Sequence, residues 1–441
     1  MLRFVTDKPN ILTNEAKGVI DEYVKKLELH PTIAGLLYAR GLRSMQAVRE
    51  YLDCDESSLH DPFLLKDMNL AVERIKRAIA NDEKITLYAD YDADGISACA
   101  AMLTYLRSIN VNVSYYIPSR NTEGYGLNEA AVRDIVNDGT QLLITLDCGI
   151  TSLKEAALAK ELNLDVIITD HHQCPMDLPV CEAILNPLLG NYPYKNLCGA
   201  GVAGKLICAL GGIEAFMDVV EIICLGTVAD VVPLTGENRT IVSMGLRKIN
   251  TKPRPGIKEL IAVSGIEGQV YAHHIAFMLA PRLNAAGRIS DAGIGVALLT
   301  EKNKNMCRSF AKELDNENKK RQTLESDILG EALRLVETQA DLRKDYCIIL
   351  SAPSWSRGVV GIVASRIVER YHRPVILLQE EGEYCCGSAR SVPGVHIYKA
   401  LNHFSNLFTR FGGHEQAAGM TIKTNDVDSL RAGLNRYLEQ H

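Results

Sequence analysis

The sequence predicts an α/β protein built on a parallel sheet and followed by a smaller α/β unit. Two observations carry that expectation. Short apolar runs rich in β-branched residues recur at ITLYAD (85–90), VNVSYYI (111–117), LLITLDC (142–148) and DVIITD (165–170). Stretches of helical spacing lie between them, and such alternation builds parallel strands with helices on both faces. A second α/β unit opens at CIILSA (347–352).

Each segment follows from its pattern. At about 150 residues per domain, the 441 residues fit roughly three units. Residues 1–80 read as a helical segment, with Leu36, Leu37, Val48 and Leu52 at helical spacing. Residues 81–300 hold the four strand patterns and then become mostly helical from 200 onward. Residues 301–344 are expected to be a connecting helix, since 301–340 contains no Pro, one Gly and dense mixed charge. Residues 345–441 form the last unit.

Composition narrows the function. The chain is 47% hydrophobic and 23% charged, which excludes a disordered protein. Its net charge of −6 gives no global attraction for nucleic acid, so such binding needs a local basic surface or bound metal. Twelve cysteines without a CxxC read as reduced thiols filling cores. The N-terminus lacks the apolar core of a secretory signal. No apolar run reaches the ~18 residues that span a bilayer; the nearest, 219–232, is broken by Glu221 and Asp230. The expectation is a cytoplasmic protein with no membrane partner.

Ligands in parallel α/β sheets bind beyond the carboxyl ends of the strands. There this chain places Asp90-Tyr91-Asp92-Ala93-Asp94-Gly95, Asp147-Cys148-Gly149 and Asp170-His171-His172, and a later apolar segment ends in Gly226-Thr227-Val228-Ala229-Asp230. Several carboxylates facing one cleft are unstable unless cations neutralise them. Asp92, Asp94, Asp147 and Asp230 carry four negative charges, which two divalent ions balance. Mixed carboxylate and imidazole ligands suit Mn²⁺ better than Ca²⁺.

Competing readings are weaker. An EF-hand would need Glu where Ala101 stands, and a helix before the loop. Alone, the Asp triplet reads as a solvated turn about one time in three. His273-His274 has no acidic strand end beside it and reads as structural. Gly199-Ala200-Gly201-Val202-Ala203-Gly204-Lys205 nearly matches a phosphate loop, but Leu206 replaces the metal-binding hydroxyl, so a close-packed helix start is expected.

DYDADG, LDCG, TDHH and GTVAD, in that order, resemble the DHH phosphoesterase superfamily and, within it, the RecJ family of single-strand-specific DNA exonucleases. The likeness extends through PSRNTEGYG (118–126), PRLNAAGR (281–288), WSRGVVGIVASR (355–366), GSARS (387–391) and GGHEQAAGM (412–420). It implies a DHH catalytic domain joined by a long helix to a DHH-associated domain. It also implies two Mn²⁺ or Mg²⁺ ions bridged by Asp147, with Asp92 completing one site and Asp94, His171 and Asp230 the other. His172 would face the scissile phosphate, and Arg120, Arg282, Ser388, Arg390, Gly412, Gly413 and His414 would contact substrate phosphates. Trp355, the sole tryptophan, reads either as a base-stacking or as a core residue. Residues 345–441 hold ten basic against nine acidic residues, so the acidic excess, −7, lies in residues 1–344.

Two departures stand out. Some superfamily members place a histidine where this chain has Tyr88, a poor ligand for a divalent ion. RecJ proteins usually continue into an oligonucleotide-binding barrel, and no all-β segment follows GGHEQAAGM here. The resemblance implies 5′-to-3′ removal of mononucleotides from single-stranded DNA, with a single-strand-binding protein as a candidate partner. Hydrolysis of short oligonucleotides or small nucleotides, and a non-catalytic role in a replication assembly, are the alternatives.

Overall fold

The computed structural model describes residues 14–440 apart from 121, 122, 125, 290 and 340. Expectations for residues 1–13 and 441, and for Asn121, Thr122 and Tyr125 of the 118–126 motif, lie outside the described residues. Helices Asn14–Leu27, Pro31–Ala39 and Met45–Leu52 pack around Tyr23, Leu37 and Val48. Leu36 and Leu52 stay exposed, because such short helices bury a single narrow stripe.

The first lobe is built on five parallel strands: β1 (Ile85–Ala89), β2 (Val113–Tyr116), β3 (Leu142–Leu146), β4 (Asp165–Thr169) and β5 (Ala183–Leu185). Their order is β2-β1-β3-β4-β5. β1 and β3 are buried along their whole length, as their uninterrupted apolar runs require. β2 lies at the edge and is shorter than the 111–117 run. The three residues of β5 are too few to show a sequence period. Chain direction across the sheet reverses between β1 and β3, which opens a crevice at their carboxyl ends.

Helix Ala93–Ser108 follows β1 and packs against helix Gly199–Ala229. The latter breaks at Gly212, whose φ of 77° is a left-handed conformation that favours glycine. That break doubles the segment back, so both Gly199 and Gly226 come against Asp94. Helices continue through 300, and the 36-residue helix Lys304–Gln339 links the lobes. Its last turns place Ile328, Ala332 and Val336 in a core of the second lobe.

The second lobe has a mixed sheet, β6 (Ile348–Ala352), β7 (Val375–Glu381), β8 (Tyr384–Arg390), β9 (Phe408–Gly413) and β10 (Ala417–Lys423), in the order β6-β7-β8-β10-β9. Only β6 and β7 pair in parallel. Trp355 is 1% exposed and donates from Nε1 to Glu331 Oε2 at 2.9 Å, so it is a core residue and not a base-stacking one. Nine of the cysteines are buried, three are half-buried and all are unpaired. Among the described residues no helix is long and apolar enough to cross a membrane.

Candidate metal centre and phosphate site

The acidic loop after β1 is shaped by its own backbone. Asp92 caps the following helix, its Oδ1 accepting from the amides of Asp94 (2.9 Å) and Gly95 (3.1 Å). A Cβ on Gly95 would lie 2.4 Å from the Asp90 carbonyl oxygen, so only glycine lets the helix start so close to the strand end. Asp94, 1% exposed, accepts from the amides of Gly199 (2.6 Å) and Ala200 (2.9 Å). The glycine-rich 199–205 segment is thus a helix start whose amides hold a carboxylate, as its missing hydroxyl suggested. A Cβ on Gly199 would come 2.4 Å from Asp147 Cβ.

Asp147 follows β3 with φ of 63°, a conformation costly for a non-glycine residue and typical of functional sites. Its amide donates to the Thr169 carbonyl at 3.0 Å. His171 Nε2 lies 3.2 Å from Asp147 Oδ1, 3.7 Å from Asp230 Oδ2 and 4.0 Å from Asp94 Oδ2. Asp170 orients this corner. It accepts from the amides of Ile150 (2.9 Å), His171 (2.7 Å) and His172 (3.0 Å), and pairs with His172 Nδ1 at 2.7 Å.

Ligand atoms fall into three groups, each within 4.8 Å: Asp94, His171 and Asp230; Asp147, His171 and His172; and Asp90, Asp92 and Asp147. Asp147 is common to two of them. Three strand ends and one helix end therefore bring Asp92, Asp94, Asp147, His171 and Asp230 together. Asp90 joins them and had not been assigned a ligand role, although it is the first acid of DYDADG. Tyr88 is not a ligand: its hydroxyl donates to the Gly126 carbonyl at 2.8 Å and its ring stacks on Tyr116.

The electrostatics are those of a cation site. Asp147 Oδ1, His171 Nε2 and Asp90 Oδ1 are buried without a hydrogen-bond partner, an expensive state unless something else coordinates them. Burial and the neighbouring Asp92 push Asp94 up to about 6, and burial with Asp94 and Asp92 pushes Asp230 up to about 8. Asp90 and Asp147 rise for the same reasons. Burial and the His172 charge hold His171 down at about 4, the neutral form a metal needs. For His172, burial opposes the charge, but the Asp170 bond outweighs it and raises the group to about 9. This donor set fits two hard or borderline divalent cations around Asp147.

A cationic corner lies beside this centre. Arg120 sits 5.4 Å from the Tyr91 ring. In the second lobe, Arg390 donates to Ser388 Oγ at 2.5 Å; on the same sheet, Ser388, Gly419 and Gly412 form a lateral row with a bare glycine strip. Gly413 and His414 continue along an exposed hairpin. Arg282 is engaged within the first lobe: its guanidinium bonds Asp315 Oδ1 (3.0 and 2.9 Å) and the Met278 carbonyl (2.6 Å), which ties its helix to the linking helix. Arg288, on another face of that helix, donates to the Gly358 carbonyl of the second lobe at 3.0 Å. Burial and then the nearby Arg120 lower it to about 10, the state of a cation among cations. The terminal Arg of PRLNAAGR was the available signal.

Comparison with known proteins agrees with this geometry. Residues 84–227 match the DHH family N-terminal domain, and 344–440 the DHHA1 domain. The single-stranded-DNA-specific exonuclease RecJ of Escherichia coli (strain K12) is 38% identical over 90% of this chain and 72% of its own length. The chain belongs to the RecJ family. RecJ of Bacillus subtilis (strain 168) is 42% identical over 95% of this chain, which spans 54% of that relative's length. A crystal structure of exonuclease RecJ bound to manganese superposes with a TM-score of 0.77 at 33% identity, covering 86% of this chain and 95% of that one.

Proposed function

We propose that this chain is a metal-dependent nuclease that hydrolyses single-stranded DNA from its 5′ end, releasing 5′-mononucleotides. The observation that carries the proposal is the convergence of five ligand residues around Asp147, with three buried atoms left without protein partners. Asp147 would bridge two cations, Mn²⁺ or Mg²⁺. Asp90 and Asp92 would hold one, and Asp94, His171 and Asp230 the other. Bound there, a cation pair supplies an activated water and neutralises the attacking and leaving oxygens of an in-line displacement. Manganese in the matched RecJ structure supports this assignment.

The protein's own groups do the positioning. Asp170 fixes both histidines, and His172 presents a positive charge toward the scissile phosphate. Arg120, Arg288, Ser388 and Arg390 would bind a terminal phosphate across the two lobes, with phosphate rather than base contacts setting register. Gly412, Gly413 and His414 would extend that contact along the sheet. Unpaired thiols and a DNA substrate support a cytoplasmic setting, where a single-strand-binding protein would be a partner.

The test is a Mn²⁺-dependent digest of 5′-phosphorylated single-stranded DNA, duplex, RNA and dinucleotides. Mononucleotides released from single-stranded DNA, and not from duplex or RNA, are expected; cleavage confined to dinucleotides would favour the short-substrate reading. A second expectation separates the two arginines. Arg288→Ala should raise KM for 5′-phosphorylated strands roughly 10- to 100-fold, the worth of a hydrogen bond to a charged group. Arg282→Ala should lower the melting temperature and leave KM near that of the wild type.

A further inference from the structure

Phe277 is 79% exposed, although the helix that carries it faces the protein core with Ile275, Leu279, Leu283 and Ala286 fully buried. The exposed ring sits in a π-helical turn, Ile275–Leu279, a rare distortion concentrated at functional sites. Asn284 and Arg288 lie about one turn apart on the α-helical part, Ala280–Ile289, and the π turn displaces Phe277 from their line by less than about a third of a turn, so the three share one side of the helix. Arg288 is about 16 Å along the axis, at ~1.5 Å per residue.

That face is fixed by its far end. Asn284 Oδ1 accepts from the amide of Ala93 in the acidic loop at 2.8 Å, and Arg288 reaches the Gly358 carbonyl of the second lobe. The face carrying Phe277 is therefore continuous with the cleft between the lobes. An exposed ring on the side of the helix that leads to a phosphate site has the chemistry of a base-stacking platform, because every base offers a π face.

We propose that Phe277 stacks on a base of the single-stranded substrate a few nucleotides away from the terminal-phosphate site. This rests on the exonuclease reading for its substrate, and it makes Phe277 a binding residue whose contribution depends on strand length. A short substrate held at Arg288 alone does not reach it.

The test compares the wild type, Phe277→Ala and Phe277→Trp on a 5′-phosphorylated dinucleotide and a twelve-nucleotide strand, with Mn²⁺. Base–aromatic stacking is worth about 1–3 kcal/mol, so Phe277→Ala should raise KM for the longer strand roughly 5- to 150-fold. Its kcat and its dinucleotide KM should match the wild type, and Phe277→Trp should restore tight binding. An unchanged KM on the longer strand overturns the proposal and leaves the face to a protein partner; an equal loss on both substrates overturns it as a structural effect. Anisotropy of the labelled twelve-nucleotide strand in EDTA gives a readout independent of hydrolysis. If the wild type hydrolyses neither substrate, the exonuclease reading fails and this measurement decides alone: weaker binding by Phe277→Ala supports the stacking site, and equal binding overturns it.

Discussion

Asp147→Ala should lower hydrolysis of single-stranded DNA at saturating Mn²⁺ by more than about a hundredfold. Loss of a metal ligand's outer partner alone costs about 10- to 100-fold, and Asp147 is placed to be a direct ligand shared by two sites. Its Oδ1 lies 3.2 Å from His171 Nε2, and the same residue groups with Asp90 and Asp92. Asp147→Asn separates function from folding. The amide keeps the shape and has no proton to lose, so it removes the cost that burial, Asp94 and Asp92 place on ionising this carboxyl, and in EDTA the variant should melt at or above the wild-type temperature while remaining inactive. Steady-state digestion and thermal melting check the pair. Activity within tenfold of the wild type would contradict the bridging role.

The second large effect is on stability. Without metal, stability should fall by several degrees of melting temperature between pH 6.5 and 8.5. The sign follows from which state holds protons. Asp230, pushed up to about 8, keeps its proton in the folded chain where an unfolded aspartate has lost it, so rising pH through this window favours unfolding. His172, raised to about 9, acts in the same direction: its stabilisation is complete below about 6.5 and is lost as pH rises through 9. His171, held at about 4, opposes this only below 6.5, where the unfolded histidine is protonated and the folded one is not. Mn²⁺ needs the deprotonated carboxylates and should bind more tightly as pH rises. The gap between melting temperatures in Mn²⁺ and in EDTA should therefore widen from pH 6.5 to 8.5. A gap that narrows would count against a carboxylate cation site.

Much of this site was legible because the chemistry sits at strand ends. Periodicity located β1, β3 and β4, and the acids following them mark the crevice that strand order creates. Asp230 was reachable because it ends an apolar helix, yet nothing in its spacing shows that Gly212 turns that helix back on itself. Asp90 escaped assignment because a charge balance of four aspartates against two cations left it unused; its buried, unpartnered Oδ1 identifies it. Arg282 and Arg288 share one motif, and only helix phase distinguishes the one that faces Asp315 from the one that reaches the second lobe. Trp355 could have been core or platform until its Glu331 partner and burial were seen. β5 and the antiparallel part of the second sheet were not anticipated, since short or half-exposed strands carry little period.

The central claim is that carboxylates and one imidazole from distant parts of the chain enclose a two-cation centre around Asp147. Anomalous scattering from crystals soaked in Mn²⁺ tests it most directly. Two peaks roughly 3.5–4 Å apart are expected, one beside Asp90 and Asp92 and the other beside Asp94, His171 and Asp230, with Asp147 between them. No peak among these residues, or a single one that Asp147 does not touch, would contradict it.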